Sequence, residues 1–161
     1  MNYTTHTENF IKNLYSKMNI SKSSQLQFQK IATLLNIQIF YWNKSSQALF
    51  DESHVYIFLN EQLTTEQLWQ DFCHELGHVL LHNGQQERMP KSLIEYLENK
   101  ANNFMYHACI PSFMLDEVDS DALTIENVQQ LFNVEYDFAE KRLTQYFNKK
   151  MNMPNRNRTF L

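Results

Sequence analysis

Residues 72–82, Phe-Cys-His-Glu-Leu-Gly-His-Val-Leu-Leu-His, constrain this chain more than any other stretch. Leu68, Trp69, Phe72, Cys73, Leu76, Val79 and Leu80 recur at helical spacing and form an apolar stripe. Asp71, His74, Glu75, His78 and His82 fall on the other side. On a helix, residues i and i+4 lie one above the other, about 6 Å apart along the axis. His74 and His78 can therefore turn both imidazoles toward one ion. Glu75 lies beside them, placed to take a proton from a metal-bound water. The plainer alternative is a solvated face with two ordinary histidines. A strongly apolar helix that keeps two His and one Glu in register is better explained by a site.

Tetrahedral zinc in a catalytic site takes three protein ligands and keeps one position open for water. His82 follows His78 by four residues, but on a continuing helix it lies about 12 Å along the axis from His74, too far to share an ion. The chain has no glycine-turn-histidine extension of the metzincin type. A further helix is predicted over residues 91–109, where Leu93, Ile94, Leu97, Ala101, Phe104 and Cys109 oppose a polar stripe of Glu95, Glu98, Asn102 and Tyr106. A carboxylate from this stripe can close the site. Spacing leaves Glu95 and Glu98 both open and leans to Glu98. Asn102, one turn further on, is placed to accept the free ring N–H of a ligand histidine. The alternative is a solvent face carrying ordinary acids.

The rest of the pattern fixes the setting. Helices are expected at 7–18 and, capped by Ser24, through Leu26, Phe28, Ile31, Leu34 and Leu35. Residues 37–42 and 54–60 read as strands, and 48–50 as a short strand pairing back on the first. Thr64 and Gln67 form a capping-box pattern that starts the motif helix, which is expected to stop at Asn83-Gly84. Two short helices are expected at 124–132 and 135–147, and residues 151–161 look loose. This order implies an α+β fold: a small antiparallel or mixed sheet packed on helices on one side, with the motif on a central helix and a C-terminal helical pair. One domain is expected over residues 1–161, with a core at 1–115 and a helical subdomain at 116–150.

Composition narrows the class. The 161 residues are 43 % apolar and 20 % charged, with a net charge of -4, which lacks the basic footprint of a nucleic-acid binder. The longest purely apolar stretch, 55–59, is far too short to span a bilayer, and the first ten residues have no secretory core. A soluble cytoplasmic protein is expected, with no direct nucleic-acid or membrane partner. Cys73 and Cys109 make no disulfide framework and read as buried free thiols.

Three runs then resemble the ImmA/IrrE metallo-endopeptidases. HVYIFLNEQLTTEQLWQDFCHELGHVLLH looks like that family's strand, capped helix and zinc motif. ENKANNFMYHACIP looks like its E-x-x-A-N-x-F…P segment, and LTIENVQQLFNVEYDFAEKRL like its C-terminal helical pair. The resemblance implies a zincin-like fold and a gluzincin-like site, with Zn2+ held by His74, His78 and Glu98 and with Glu75 as base. It also implies a cytoplasmic protease acting on a helix-turn-helix repressor, often encoded on a prophage or another mobile element. Met105, Tyr106 and His107 depart from the small residues that family members often carry after the phenylalanine.

For the oxyanion, Tyr106, His107 and His54 are the candidate donors. Strand 54–60, if it is a sheet edge, can pair with an extended substrate. Two rival readings are a non-cleaving anti-repressor that sequesters its partner, against which the intact Glu75 argues, and a toxin-like zinc hydrolase of a paired operon. The helical pair at 123–143 is read as structural or partner-docking. Its Lys141 and Arg142 are accompanied by Glu135, Asp137 and Glu140, which suits DNA poorly.

Overall fold

A computed structural model describes residues 5–81 and 89–153. His82, the expected helix stop at Asn83-Gly84 and most of the expected loose tail lie outside the described residues. Helix α1, His6–Lys17, is started by a capping box: Thr5 Oγ1 accepts from the Glu8 N–H, and the Glu8 carboxylate accepts from the Thr5 N–H. It buries Ile11 and Tyr15, and the Tyr15 hydroxyl donates to Ala108 O at 2.7 Å.

The second helix differs from expectation. Ser24 does not cap it. Gln25 Oε1 accepts from the N–H groups of Ser21 and Lys22, which closes a 3-10 turn over Ser23–Gln25. Helix α2 is confined to Phe28–Leu34, with Phe28, Ile31 and Ala32 buried and Leu34 exposed.

Strands β1, Ile37–Trp42, β2, Gln47–Phe50, and β3, Val55–Asn60, form a mixed sheet in the order β1-β3-β2. β1 runs parallel to β3, with Ile37 opposite Val55, and β2 runs antiparallel to β3, with Ala48 opposite Ile57. The short strand therefore does not pair back on β1. Asp51 decides this. Its Oδ1 accepts from the Ser53 and His54 N–H groups and its own N–H donates to His54 O, a tight turn that folds β2 onto the following strand. β3 is thus the central strand and not an edge. Its Ile57 and Leu59 are fully buried on the face covered by α2 and the motif helix. The opposite face carries Phe40, Trp42, Tyr56 and Phe58, with ring centroids 4.7 Å apart for Trp42–Phe58 and 5.3 Å for Phe40–Phe58.

Helix α3, Thr65–Leu81, starts as expected, with Thr64 and Gln67 bonding reciprocally. Helix α4, Lys91–Cys109, lies along it. A short helix α5, Ser112–Leu115, follows Pro111, and a 3-10 turn follows at Ser120–Ala122. Helices α6, Ile125–Phe132, and α7, Tyr136–Met151, form the C-terminal pair. Asn133, in the left-handed region at φ 53°, ends α6. The pair is fastened to α3 by Glu135, whose two carboxylate oxygens accept from Gln67 and Gln70 and whose N–H donates back to Gln70. Val128, Phe132, Phe138 and Leu143 join the one hydrophobic core. Cys73 and Cys109 are free and buried. No described helix is long and apolar enough to cross a membrane.

Candidate active site

The motif helix and α4 bring three donors together. His74 Nε2 and His78 Nε2 lie 3.1 Å apart, with the rings nearly perpendicular at 82°. Glu98 closes the triangle: its Oε2 is 3.2 Å from His74 Nε2 and its Oε1 is 3.0 Å from His78 Nε2. Donors bonded to one tetrahedral zinc at 2.0–2.2 Å stand about 3.3 Å from one another. Each imidazole faces a different Glu98 oxygen, one ligand atom from each residue lies within 4.8 Å of the others, and two imidazoles with one carboxylate are the donor chemistry zinc takes. His78 is buried, whereas His74 and Glu98 are partly exposed, so the triangle opens on one side.

Gly77 explains how α4 comes so close. A Cβ built there would meet Ala101 Cα and Ala101 O at 3.2 Å and Phe104 Cδ1 at 3.1 Å. A glycine inside a helix costs about 1 kcal/mol relative to alanine. Here it lets the α4 backbone pack against α3 between the two histidines, at the level of Glu98. Sequence reasoning did not assign this residue a role. Its signal was its position, a glycine in mid-helix in a chain with only two.

Glu75 is buried and belongs to no donor triangle. Its Oε2 accepts from the Ala48 N–H at 2.8 Å. Burial pushes its carboxyl up to about 8; the Ala48 hydrogen bond opposes this, and the charges of Glu98 and Asp71 add to it. A cation at the neighbouring donors acts in the opposite direction. Ala48 is the second contributor that sequence reasoning missed, and no signal could have found it, because only its backbone acts. Its N–H points away from β3, so the edge of β2 borders the site.

The other candidates are placed elsewhere. Glu95 and Asn102 are exposed on α4, and Glu95 is not part of the donor cluster. Tyr106 lies eight residues beyond Glu98, about 12 Å along the helix. It stacks on Phe138 at 4.4 Å, under the Lys141 ammonium. His107 is buried, with Nδ1 2.9 Å from Asn103 O. Burial, helped by the Arg142 charge, lowers its pKa to about 4, so it is neutral and its Nδ1 carries the hydrogen that faces the carbonyl. His54 is exposed and lies 3.7 Å from Asp51. Neither of these two histidines belongs to the donor cluster, and Tyr106 packs against α7. His107 neighbours a second polar cluster, in which the buried Arg142 donates to Ile110 O and Ser112 Oγ, and Glu8 accepts from Ser112 and Lys149. Arg142 is consumed by the core, which suits the structural one of the two roles expected for this helical pair.

Comparison with known proteins agrees with the geometry. The chain is 37 % identical over 153 residues to the uncharacterized protein YqaB of Bacillus subtilis (strain 168), covering 92 % of this chain and 89 % of that one. It is 36 % identical over 153 residues to the phage-like element PBSX protein XkdA of the same organism, covering 92 % and 76 %. The family model described as the IrrE N-terminal-like domain, of the M78 peptidases, matches residues 33–144, from within α2 to within α7. That span includes both helices that supply the donor triangle and the strand that meets Glu75, so the chain belongs to the M78 peptidase family.

Proposed function

We propose that the protein is a zinc-dependent endopeptidase that cuts a helix-turn-helix repressor of a phage or mobile element. The observation that carries the chemistry is the convergence of His74, His78 and Glu98 with a buried Glu75 one residue away. Support for the substrate is the similarity to XkdA, named as a protein of a phage-like element, together with the resemblance to the anti-repressor proteases.

His74, His78 and Glu98 would hold zinc, which would supply a more acidic water and polarise the scissile carbonyl. Glu75 takes the proton as the water oxygen bonds to the carbonyl carbon, then hands it to the amine as the C–N bond breaks. The Ala48 N–H holds one carboxylate oxygen and leaves the other for the proton. An extended substrate pairs with the outer edge of β2, beside the Ala48 N–H that Glu75 holds, the role first expected of strand 54–60, which is central and paired on both sides.

The test is cleavage of the repressor encoded beside the gene, followed by gel, with zinc measured on the same samples. Glu75→Gln keeps the shape and removes the proton acceptor. It is expected to retain zinc while cleavage falls by about 10²–10⁴-fold. Unchanged cleavage with zinc bound would remove Glu75 from the mechanism. Tight repressor binding without cleavage by the wild type would replace proteolysis with sequestration.

A further inference from the structure

β1 is an edge strand that no strand among the described residues covers on its outer side. It is paired on one side, to β3, and among the described residues no backbone hydrogen bond reaches its other side. Edges of this length are usually blunted by lysine, proline, a bulge or a covering element. Ile-Gln-Ile-Phe-Tyr-Trp has no charge and no proline, and Phe40 and Tyr41 are 45 % and 51 % exposed. The backbone parity is fixed by the Glu61 N–H, which donates to Trp42 O at 2.9 Å. Trp42, Phe40 and Gln38 therefore direct their peptide groups at β3, and Ile37, Ile39 and Tyr41 direct theirs outward. On the helix-covered face, a groove of about 260 Å³ runs beside the strand, lined by Gln29, Ala32, Thr33, Ile37, Ile39 and Tyr41.

We propose that β1 docks a second copy of this chain, the two β1 strands pairing antiparallel about a twofold axis at Phe40. The strand is self-complementary in that register. Phe40 meets its own copy, Gln38 meets Trp42 on the bare aromatic face, and Ile39 meets Tyr41 on the covered face. The outward peptide groups of Ile39 and Tyr41 then exchange hydrogen bonds, and Phe40 occupies the close, non-hydrogen-bonded pair. No like charges meet, since β1 has none and Lys44 comes opposite Asn36. Each copy offers an exposed Tyr41 and, beside the facing Ile39, a groove to receive it, as an isologous contact requires. The exposed Tyr41 and the groove lie on the same strand, so a second copy supplies both halves of the contact. The dimer leaves both β2 edges, and both Glu75 sites, on the outside of a six-stranded sheet. It is therefore independent of the peptidase reading.

Sedimentation velocity on the full chain tests this. The wild type should sediment as a dimer. Tyr41→Lys should sediment as a monomer, with unchanged far-UV circular dichroism, melting temperature and zinc content. Gln38→Lys, at an exposed position, should weaken the dimer in the same way. Phe40→Cys should crosslink to a covalent dimer with oxidised glutathione, because close pairs put the Cβ atoms within disulfide reach. Leu49→Cys, on the exposed β2 edge, should not. The native thiols are buried. A wild type that stays monomeric at every concentration would overturn the proposal, as would a folded Tyr41→Lys that stays dimeric or a Phe40→Cys that never crosslinks.

Discussion

Gly77 is the residue on which the site geometry turns most sharply. Replacing it with alanine gains about 1 kcal/mol of helix propensity. The new methyl meets Ala101 backbone atoms at 3.2 Å, and backbone cannot rotate away as a side chain can. Overpacking of this kind costs about 1–3 kcal/mol, so the clash outweighs the propensity. Gly77→Ala is therefore expected to lower the melting temperature of the metal-free protein and to weaken zinc binding by displacing Glu98. Thermal melts with and without zinc measure both. A higher melting temperature with unchanged zinc affinity would show that α3 and α4 need no such approach.

At this scale, His74, Glu75 and His78 were legible in the sequence, because i and i+4 on one helix fix their relation without any tertiary information. From spacing, Glu98 was legible only as the favoured one of two acids on a stripe, and the family resemblance singled it out. Choosing between Glu95 and Glu98 depends on how α4 docks on α3, which helical spacing does not encode. The oxyanion candidates show the same limit. Tyr106, His107 and His54 have suitable chemistry, but α7, Arg142 and Asp51 claim their surroundings.

The helices meet in a polar cluster that gives the fold a pH dependence. Glu8 caps α1, accepts from Ser112 on α5 and pairs with Lys149 on α7. Burial alone would raise its pKa. The hydrogen bonds from Lys149, Ser112 and the Thr5 N–H outweigh burial and hold it at about 2, below its ordinary 4.5. A carboxyl depressed on folding stabilises above its unfolded pKa and loses that contribution as pH falls through the folded one. Glu8 therefore contributes on the order of 3 kcal/mol above pH 4.5, lost progressively between about 4.5 and 2. Glu8→Gln should show a flatter fall of melting temperature across that window than the wild type. Parallel curves would mean that the cluster contributes nothing to acid unfolding.

The start of α3 and the end of α4 were legible: the Thr64–Gln67 box and Pro111 mark them locally. The second helix was not, because Gln25 folds back on Ser21 and Lys22 and shortens it. The sheet order was not legible either. The periodicity of β3 shows that it has a buried face, and only the Asp51 turn shows which neighbour the chain folds onto it.

For the whole molecule, the arrangement of helices, strands and helices led to the α+β fold because one face of the sheet needs a cover and α2 and α3 supply it. The C-terminal pair is bound into the same core through Glu135 and Arg142, polar anchors that hydrophobic periodicity does not reveal. All of this converges on one claim: α3 and α4 are held together so that two histidines and one carboxylate share a cation. Zinc content per chain, measured by elemental analysis on protein purified without chelator, tests it most directly. The account predicts about one zinc per chain for the wild type and for Glu95→Ala, and almost none for Glu98→Ala. A wild type that takes up no zinc on titration, or a Glu95→Ala that loses its zinc while Glu98→Ala keeps it, would contradict it.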